Sequence, residues 1–332
     1  MAAIAAALLL LLGTASVARS AEPRVVIFSV DGMRPDVALR AEMPTLRRMM
    51  RNGCFTFWAT TTPAAITLPS HTSMLTGVTI ERHGIVGNDD DSAAGETIKV
   101  PTIFDLARAS GLSTAMASGK SKFSMYAKPI DHVWQPEPRS ATTRDASGET
   151  RKVLKGISVS DERVADQAIA LLQTHRPRLM LVHFAQNDTI GHALGWGSPL
   201  QVEGLANTDK QIGRVVETLR AMNLLAETTL ILSADHGGSG RTHGKDDNAS
   251  KFIPWVIVGP GVRRNVDLSL YRDRPIRTYD TFATACRVMG LTPPADTDGS
   301  AVLQAFEGTE LLNTGPSTEP AKVPATLPKE SF

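Results

Sequence analysis

The chain has 332 residues, of which 42% are hydrophobic, a formal net charge of +1 and two cysteines, Cys54 and Cys286. This length holds one large domain or two modest ones, and nothing in the near-neutral balance suggests nucleic acid or an anionic membrane as the main partner, so a site for an anionic substrate has to be local. Two cysteines exclude a disulfide scaffold and a cysteine-rich zinc module; the pair suits a bridge in an exported protein or, at least as well, two buried thiols.

Met1 to Ala18 is apolar, and Arg19 is the first charge. Such a core followed by Ala18-Arg19-Ser20 reads as a secretory signal peptide over residues 1–20, which predicts a periplasmic or secreted protein. The run lacks a positive residue at its start and approaches the shortest bilayer span, so an uncleaved anchor is the alternative.

Next, "RVVIFSV" (24–30) is a near-continuous apolar run, as expected of a strand covered on both faces. A helix over "TLRRMMRN" (45–52) has Pro44 in its first turn and Gly53 at its stop, and "PTIFDLARAS" (101–110) repeats that grammar with Pro101 and Gly111. There follow a strand in "LSTAMAS" (112–118), a helix in "SDERVADQAIALLQTH" (160–175) capped by Ser160, and a strand in "LMLVHF" (179–184). A helix over 209–222, strands at "TTLILSA" (228–234) and "FIPWVIVG" (252–259), and a helix over 279–289 complete the series.

Strands alternating with helices predict an α/β fold with an open, mostly parallel central sheet and helices on both faces. Residues 124–158 are polar and aperiodic, which predicts a lid insertion or a mobile surface segment. The expected organisation is one catalytic domain over 21–307 and a flexible tail over 308–332, rich in Pro, Thr and Glu.

In open α/β sheets ligands sit beyond the carboxyl ends of the strands. Asp31, Asp188 and Asp235 fall there, with His192 four residues after Asp188, His236 beside Asp235, and His243 in "RTHG". Taken singly, such an Asp is a turn residue, and Thr67, just before a helical stretch, is a cap. Taken together, three carboxylates and three imidazoles crowd like charge into one crevice, which a bound dication relieves. Mixed Asp/His ligation suits zinc, and manganese accepts the same donors. His71, His83, His132, His175 and His183 read mostly as surface or supporting groups.

The ordered motifs "VDGMRPD", "ITLPSH", "HGIVGN", "NDTIGH", "SADHGG" and "RTHG" resemble the alkaline phosphatase superfamily, in its type I phosphodiesterase/nucleotide pyrophosphatase-like branch. The resemblance implies an alkaline-phosphatase-like fold with two zinc ions. One would be held by Asp188, His192 and His243; the other by Asp31, Asp235 and His236 beside the nucleophile Thr67. Asn88 would bind the phosphoryl oxygens. Thr67-Leu68-Pro69-Ser70-His71 lacks the Cys or Ser and the Arg of the sulfatase pattern, so sulfatase activity is not expected. Lys120 and Lys122 in "GKSKF" resemble a lysine pair of the superfamily's phosphomonoesterases and phosphonoacetate hydrolases; a solvated surface pair is the plain alternative.

The expectation is therefore an exported two-metal phosphoester hydrolase acting on a small phosphate ester or nucleotide. A phosphomonoesterase, a phosphonate hydrolase and a non-catalytic metal- or phosphate-binding protein are the alternatives. Diester against monoester preference, leaving group and oligomeric state are left open.

Overall fold

The computed structural model describes residues 23–144, 148–271 and 275–311. The expected signal peptide over 1–20 and most of the tail lie outside the described residues. No helix among the described residues is long and apolar enough to cross a membrane.

The described residues form ten strands: β1 (Arg24–Val30), β2 (Cys54–Thr60), β3 (Thr114–Ser118), β4 (His132–Trp134), β5 (Arg139–Arg144), β6 (Thr150–Lys155), β7 (Leu179–Phe184), β8 (Thr228–Ser233), β9 (Phe252–Val258) and β10 (Val266–Asp267). Eight form one sheet in the order β10-β2-β9-β8-β1-β7-β3-β4, and β5 with β6 forms a separate hairpin. Neighbours pair parallel except across β9, which is antiparallel to both β8 and β2. The sheet is thus mostly parallel, with one reversed strand.

Every residue of β1, β3, β7 and β8 is buried. Continuous apolar strands can be dry on both faces only if helices cover both. Asp161–His175, Pro199–Ala221 and Pro44–Asn52 pack together in one layer, while Thr67–Thr76 packs with Asp280–Met289 and Ile103–Ala109 in another.

Several local expectations change. β2 stands where the sequence reading had no strand. Its β-bulge between Thr56 and Ala59 breaks the period-2 pattern that marks a half-buried strand. Within 124–158 the described residues form strands that the sequence did not announce: β4 extends the main sheet and β5–β6 is an antiparallel hairpin. The polar side chains of the hairpin follow from exposure, since none of its described residues is buried.

Gly53 does end its helix, but in extended backbone (φ −146°). A Cβ there would come within 2.0 Å of the Ile257 carbonyl oxygen on β9, so close packing, not a left-handed turn, requires the glycine. Pro101 lies outside its helix, whose cap is Thr102 in a capping box with Asp105. Ser160 caps Asp161–His175 as expected, through Arg163 N–H. Cys54 and Cys286 are buried free thiols, so the disulfide alternative does not hold.

Candidate metal and phosphoryl site

The carboxyl ends of β1, β7, β8, β3 and β2 bring the chemistry together. Asp31 follows β1, Asp188 and His192 share one face of the helix Gln186–Leu194 after β7, and Asp235 and His236 follow β8. All three aspartates are buried, as are His236 and Thr67.

Each aspartate has one oxygen fastened and one bare. Asp31 Oδ2 takes contacts from Lys120 Nζ at 2.7 Å and His183 Nε2 at 3.0 Å. Asp188 Oδ2 accepts from the same ammonium at 2.7 Å. Asp235 Oδ1 accepts from the main-chain N–H of Gly32 at 3.0 Å and of His236 at 2.9 Å. The opposite oxygens, Asp31 Oδ1, Asp188 Oδ1 and Asp235 Oδ2, are buried without a hydrogen-bond partner, and so are His236 Nε2 and Thr67 Oγ1. Buried polar atoms are normally satisfied, so five orphans in one crevice call for a ligand.

The histidines show which kind of ligand. Nδ1–H of His192 donates to Arg241 O at 3.0 Å, that of His236 to Gly237 O at 2.8 Å, and that of His243 to Ala65 O at 3.0 Å. Each ring is thereby fixed in the tautomer that leaves Nε2 as a bare lone pair. Those lone pairs face carboxylate oxygens: His192 and His243 lie 3.4 and 3.6 Å from Asp188 Oδ1, and His236 lies 3.2 Å from Asp235 Oδ2. Lone pair against anion is repulsive unless a cation sits between, so the donor set fits metal ions. Donor atoms of Asp188, His192 and His243 lie within 4.8 Å of one another, and so do those of Asp31, Asp188 and His236. Asp188 thus adjoins both clusters, whereas Asp235 meets the second one through His236.

Thr67 is the first residue of its helix; the cap position is Ile66, with no side-chain cap hydrogen bond. The cap reading of Thr67 therefore fails, because its hydroxyl bonds no backbone N–H and is left bare. Its carbonyl is held by His71 Nδ1 at 2.8 Å, whose Nε2 meets Ser29 Oγ at 2.8 Å. Ala65, two residues earlier, adopts φ +46°. The left-handed region costs a non-glycine residue about 1 kcal/mol, and here it turns the Ala65 carbonyl onto His243.

Asn88 Oδ1 accepts from Leu68 N–H at 2.9 Å and from Lys122 Nζ at 3.0 Å. The amide is thereby oriented with its NH2 as the remaining donor, next to the first turn of the Thr67 helix.

Both lysines are buried, which removes the surface-pair alternative. Burial opposes the charge of Lys120, but Asp188 and Asp31 outweigh it and raise its pKa above the usual lysine value. Burial and then Lys120 lower Lys122 to about 8. For Asp31 the same ammonium, with His183, overcomes burial and holds the carboxyl well below its usual range, whereas burial and the Asp31 charge push Asp235 well above it.

Of the histidines set aside in the sequence, His132 and His175 stack on each other at 3.5 Å near the surface. His71, His83 and His183 are buried, and His71 and His183 touch the site's own residues. Trp196 joins the site with no signal in the sequence to announce it: its indole N–H donates to Gly32 O at 2.9 Å, and its ring meets His192 edge-on.

The family described as type I phosphodiesterase / nucleotide pyrophosphatase matches residues 25–249. Human ectonucleotide pyrophosphatase/phosphodiesterase family member 5 is 29% identical over 230 residues, covering 65% of this chain and 45% of the relative. The venom phosphodiesterase of Naja atra is 25% identical over 275 residues, covering 78% and 31%. The chain therefore spans less than half the length of these curated relatives. Among solved structures, human ectonucleotide pyrophosphatase/phosphodiesterase 5 superposes with a TM-score of 0.68 at 17% identity, covering 86% of this chain and all of that one. A 2-O glycosaminoglycan sulfatase gives 0.67 at 16% identity, covering 87% and 75%, a likeness of fold alone. With the matched residues containing every aspartate and histidine of the site, the chain belongs to the type I phosphodiesterase/nucleotide pyrophosphatase family.

Proposed function

We propose that the protein is an exported phosphoester hydrolase that works with two metal ions and a covalent phosphothreonine at Thr67. The observation that carries this reading is the convergence of three Nε2 lone pairs, three bare carboxylate oxygens and the bare Thr67 hydroxyl in one buried crevice. Asp188, His192 and His243 would hold one ion, and Asp31, Asp235 and His236 the other. Zinc suits this donor set, with manganese as the alternative. When bound, the two ions supply Lewis-acid charge to the ester oxygens and lower the pKa of a nearby hydroxyl.

The chain's own residues do the rest. Thr67 Oγ1 attacks phosphorus, and the bond to the leaving oxygen breaks with its electron pair. The proton lost by Thr67 Oγ1 goes to solvent, and the leaving oxygen takes one from it. Water then attacks the phosphothreonine, the Oγ1–P bond breaks, the phosphate product leaves and Oγ1 regains its proton. The Asn88 NH2 donates to a non-bridging oxygen, and the positive end of the Thr67 helix dipole lies toward the same charge. A parallel among the solved structures supports the nucleophile: an inactive threonine-to-alanine variant of murine ectonucleotide pyrophosphatase/phosphodiesterase 5 has been solved with AMP. The substrate class is a small phosphate ester or nucleotide.

A second reading, a phosphomonoesterase or phosphonate hydrolase, is favoured by the burial of Lys122 against Asn88. A monoester carries one more anionic oxygen than a diester, and a lysine in hydrogen-bond reach favours it. Turnover of bis-(p-nitrophenyl) phosphate against p-nitrophenyl phosphate separates the two, with Lys122→Ala lowering only the monoester rate on the second reading. Thr67→Ala should abolish turnover of both while keeping zinc; retained turnover removes the nucleophile assignment, and bound zinc with no turnover of any ester by the wild type leaves a non-catalytic binding protein.

A further inference from the structure

His183 differs from the other histidines of the site in what its ring nitrogens face. Both meet side chains: Nε2 lies 3.0 Å from Asp31 Oδ2 and Nδ1 lies 3.0 Å from Ser118 Oγ. A carboxylate oxygen at that distance requires Nε2 to carry the proton. Nδ1 is then the acceptor, and the Ser118 hydroxyl, which also lies 3.2 Å from Lys120 O, turns its proton to the nearer Nδ1 at 3.0 Å. This is the opposite tautomer from that of His192, His236 and His243, so His183 is built to donate rather than to ligate.

The sheet fixes this arrangement. Ser118 on β3, His183 on β7 and Ser29 on β1 occupy one register row across three adjacent strands. Residues of one row project to one face, so a polar line crosses the sheet directly below the strand ends that carry Asp31 and Asp188. The His183 ring is fully buried, stacked on Phe123 at 3.9 Å and edge-on to His71 at 5.0 Å. It has no room to turn.

We propose that His183 is the positioning residue of Asp31. Its N–H, with the Lys120 ammonium, fastens Oδ2 and so keeps Oδ1 aimed at the crevice, where it lies 3.5 Å from His236 Nε2. The inference rests on the two-metal reading of the site. Hydrogen-bonded partners of this kind strengthen metal binding about 10- to 100-fold.

The test is zinc affinity, measured on the full-length protein by competition with a chromogenic chelator, for wild type, His183→Leu, His183→Gln and Ser118→Ala. His183→Leu should bind the more weakly held zinc about 10- to 100-fold less tightly. His183→Gln, whose amide N–H reaches the position of Nε2, should recover most of that loss. Ser118→Ala should show a smaller loss, because Nδ1 is left without its donor and Lys120 N–H without its Ser118 acceptor. Wild-type affinity in His183→Leu overturns the proposal, and so does a His183→Gln as weak as the leucine variant, since the ring would then only fill space. If His183→Leu does not fold, Ser118→Ala decides: unchanged affinity overturns the assignment. A wild type that binds no zinc overturns the metal reading itself, and this inference with it.

Discussion

Replacing Asn88 by aspartate isolates one hydrogen-bond donor with little disturbance of its surroundings. Asn88 Oδ1 already serves Leu68 N–H at 2.9 Å and Lys122 Nζ at 3.0 Å, and a carboxylate oxygen accepts both equally well. What is lost is the NH2, and what is gained is a negative charge beside an anionic substrate. A donor to a charged oxygen contributes about 1.5–3 kcal/mol, so its loss alone predicts a fall in kcat/KM of roughly 10- to 150-fold. Repulsion between the new carboxylate and the phosphoryl oxygens adds to that. Melting temperature should hold, because the introduced carboxylate would pair with Lys122. The assay is steady-state hydrolysis of p-nitrophenyl phosphate or its bis ester, whichever the wild type turns over, beside a thermal melt. An Asn88→Asp enzyme within about three-fold of wild type would refute the assignment of the amide to the phosphoryl group.

His83 supports the turn that carries Asn88, and it is a test of burial. Its Nδ1 accepts from Ile85 N–H at 3.1 Å, its Nε2 meets Ser73 Oγ at 3.0 Å, and burial lowers its pKa to about 4. Between the unfolded value of 6.5 and the folded value of about 4 only the unfolded chain takes up the proton. Stability from this residue is therefore complete above pH 6.5 and is lost as pH falls toward 4, by up to ~3 kcal/mol. Urea midpoints at neutral and acid pH should fall less in His83→Gln than in wild type; equal falls contradict the argument. Gly32 has φ +70°, and a Cβ there would lie 3.2 Å from Asp188 Cα and from Trp196 Cζ2. Gly32→Ala should cost about 1–2 kcal/mol in urea unfolding and weaken metal binding, and an unchanged midpoint excludes the strain. Burial pushes the thiols of Cys54 and Cys286 up to about 12. A thiol reagent at pH 8 should label neither until denaturant is added, and rapid labelling of the native protein would contradict this placement.

The strands that could be read from sequence were those whose surroundings are uniform. β1, β7 and β8 are dry on both faces, so their apolar runs announce them. β2 was hidden because its bulge sets exposed Trp58 beside half-buried Phe57 and destroys the alternation. The direction of β9 was hidden as well, since an apolar run reads the same for a strand pointing either way. In the site, ligands that sit at strand ends or four residues apart on a helix were legible as residue types in position. Contacts made across the sheet were not. His183 and Asp31 are 152 residues apart in the chain, and only the pairing of β7 with β1 makes them neighbours.

The charge arrangement explains why Lys120 is tolerated where a surface lysine was the plain reading. Three buried carboxylates in one crevice repel one another, and two of them, Asp31 and Asp188, turn an oxygen toward the same point. Lys120 reaches both at 2.7 Å from the end of β3, and burial makes each contact stronger than it would be in water. Removing it would leave Asp31 Oδ2 to His183 alone and take the ammonium from Asp188 Oδ2, while removing Lys122 would leave Asn88 Oδ1 to Leu68 N–H alone. On the proposed function the two lysines therefore divide their work. Lys120 fastens Asp31 and Asp188, and Lys122, on the monoester reading, meets the added anionic oxygen beside Asn88.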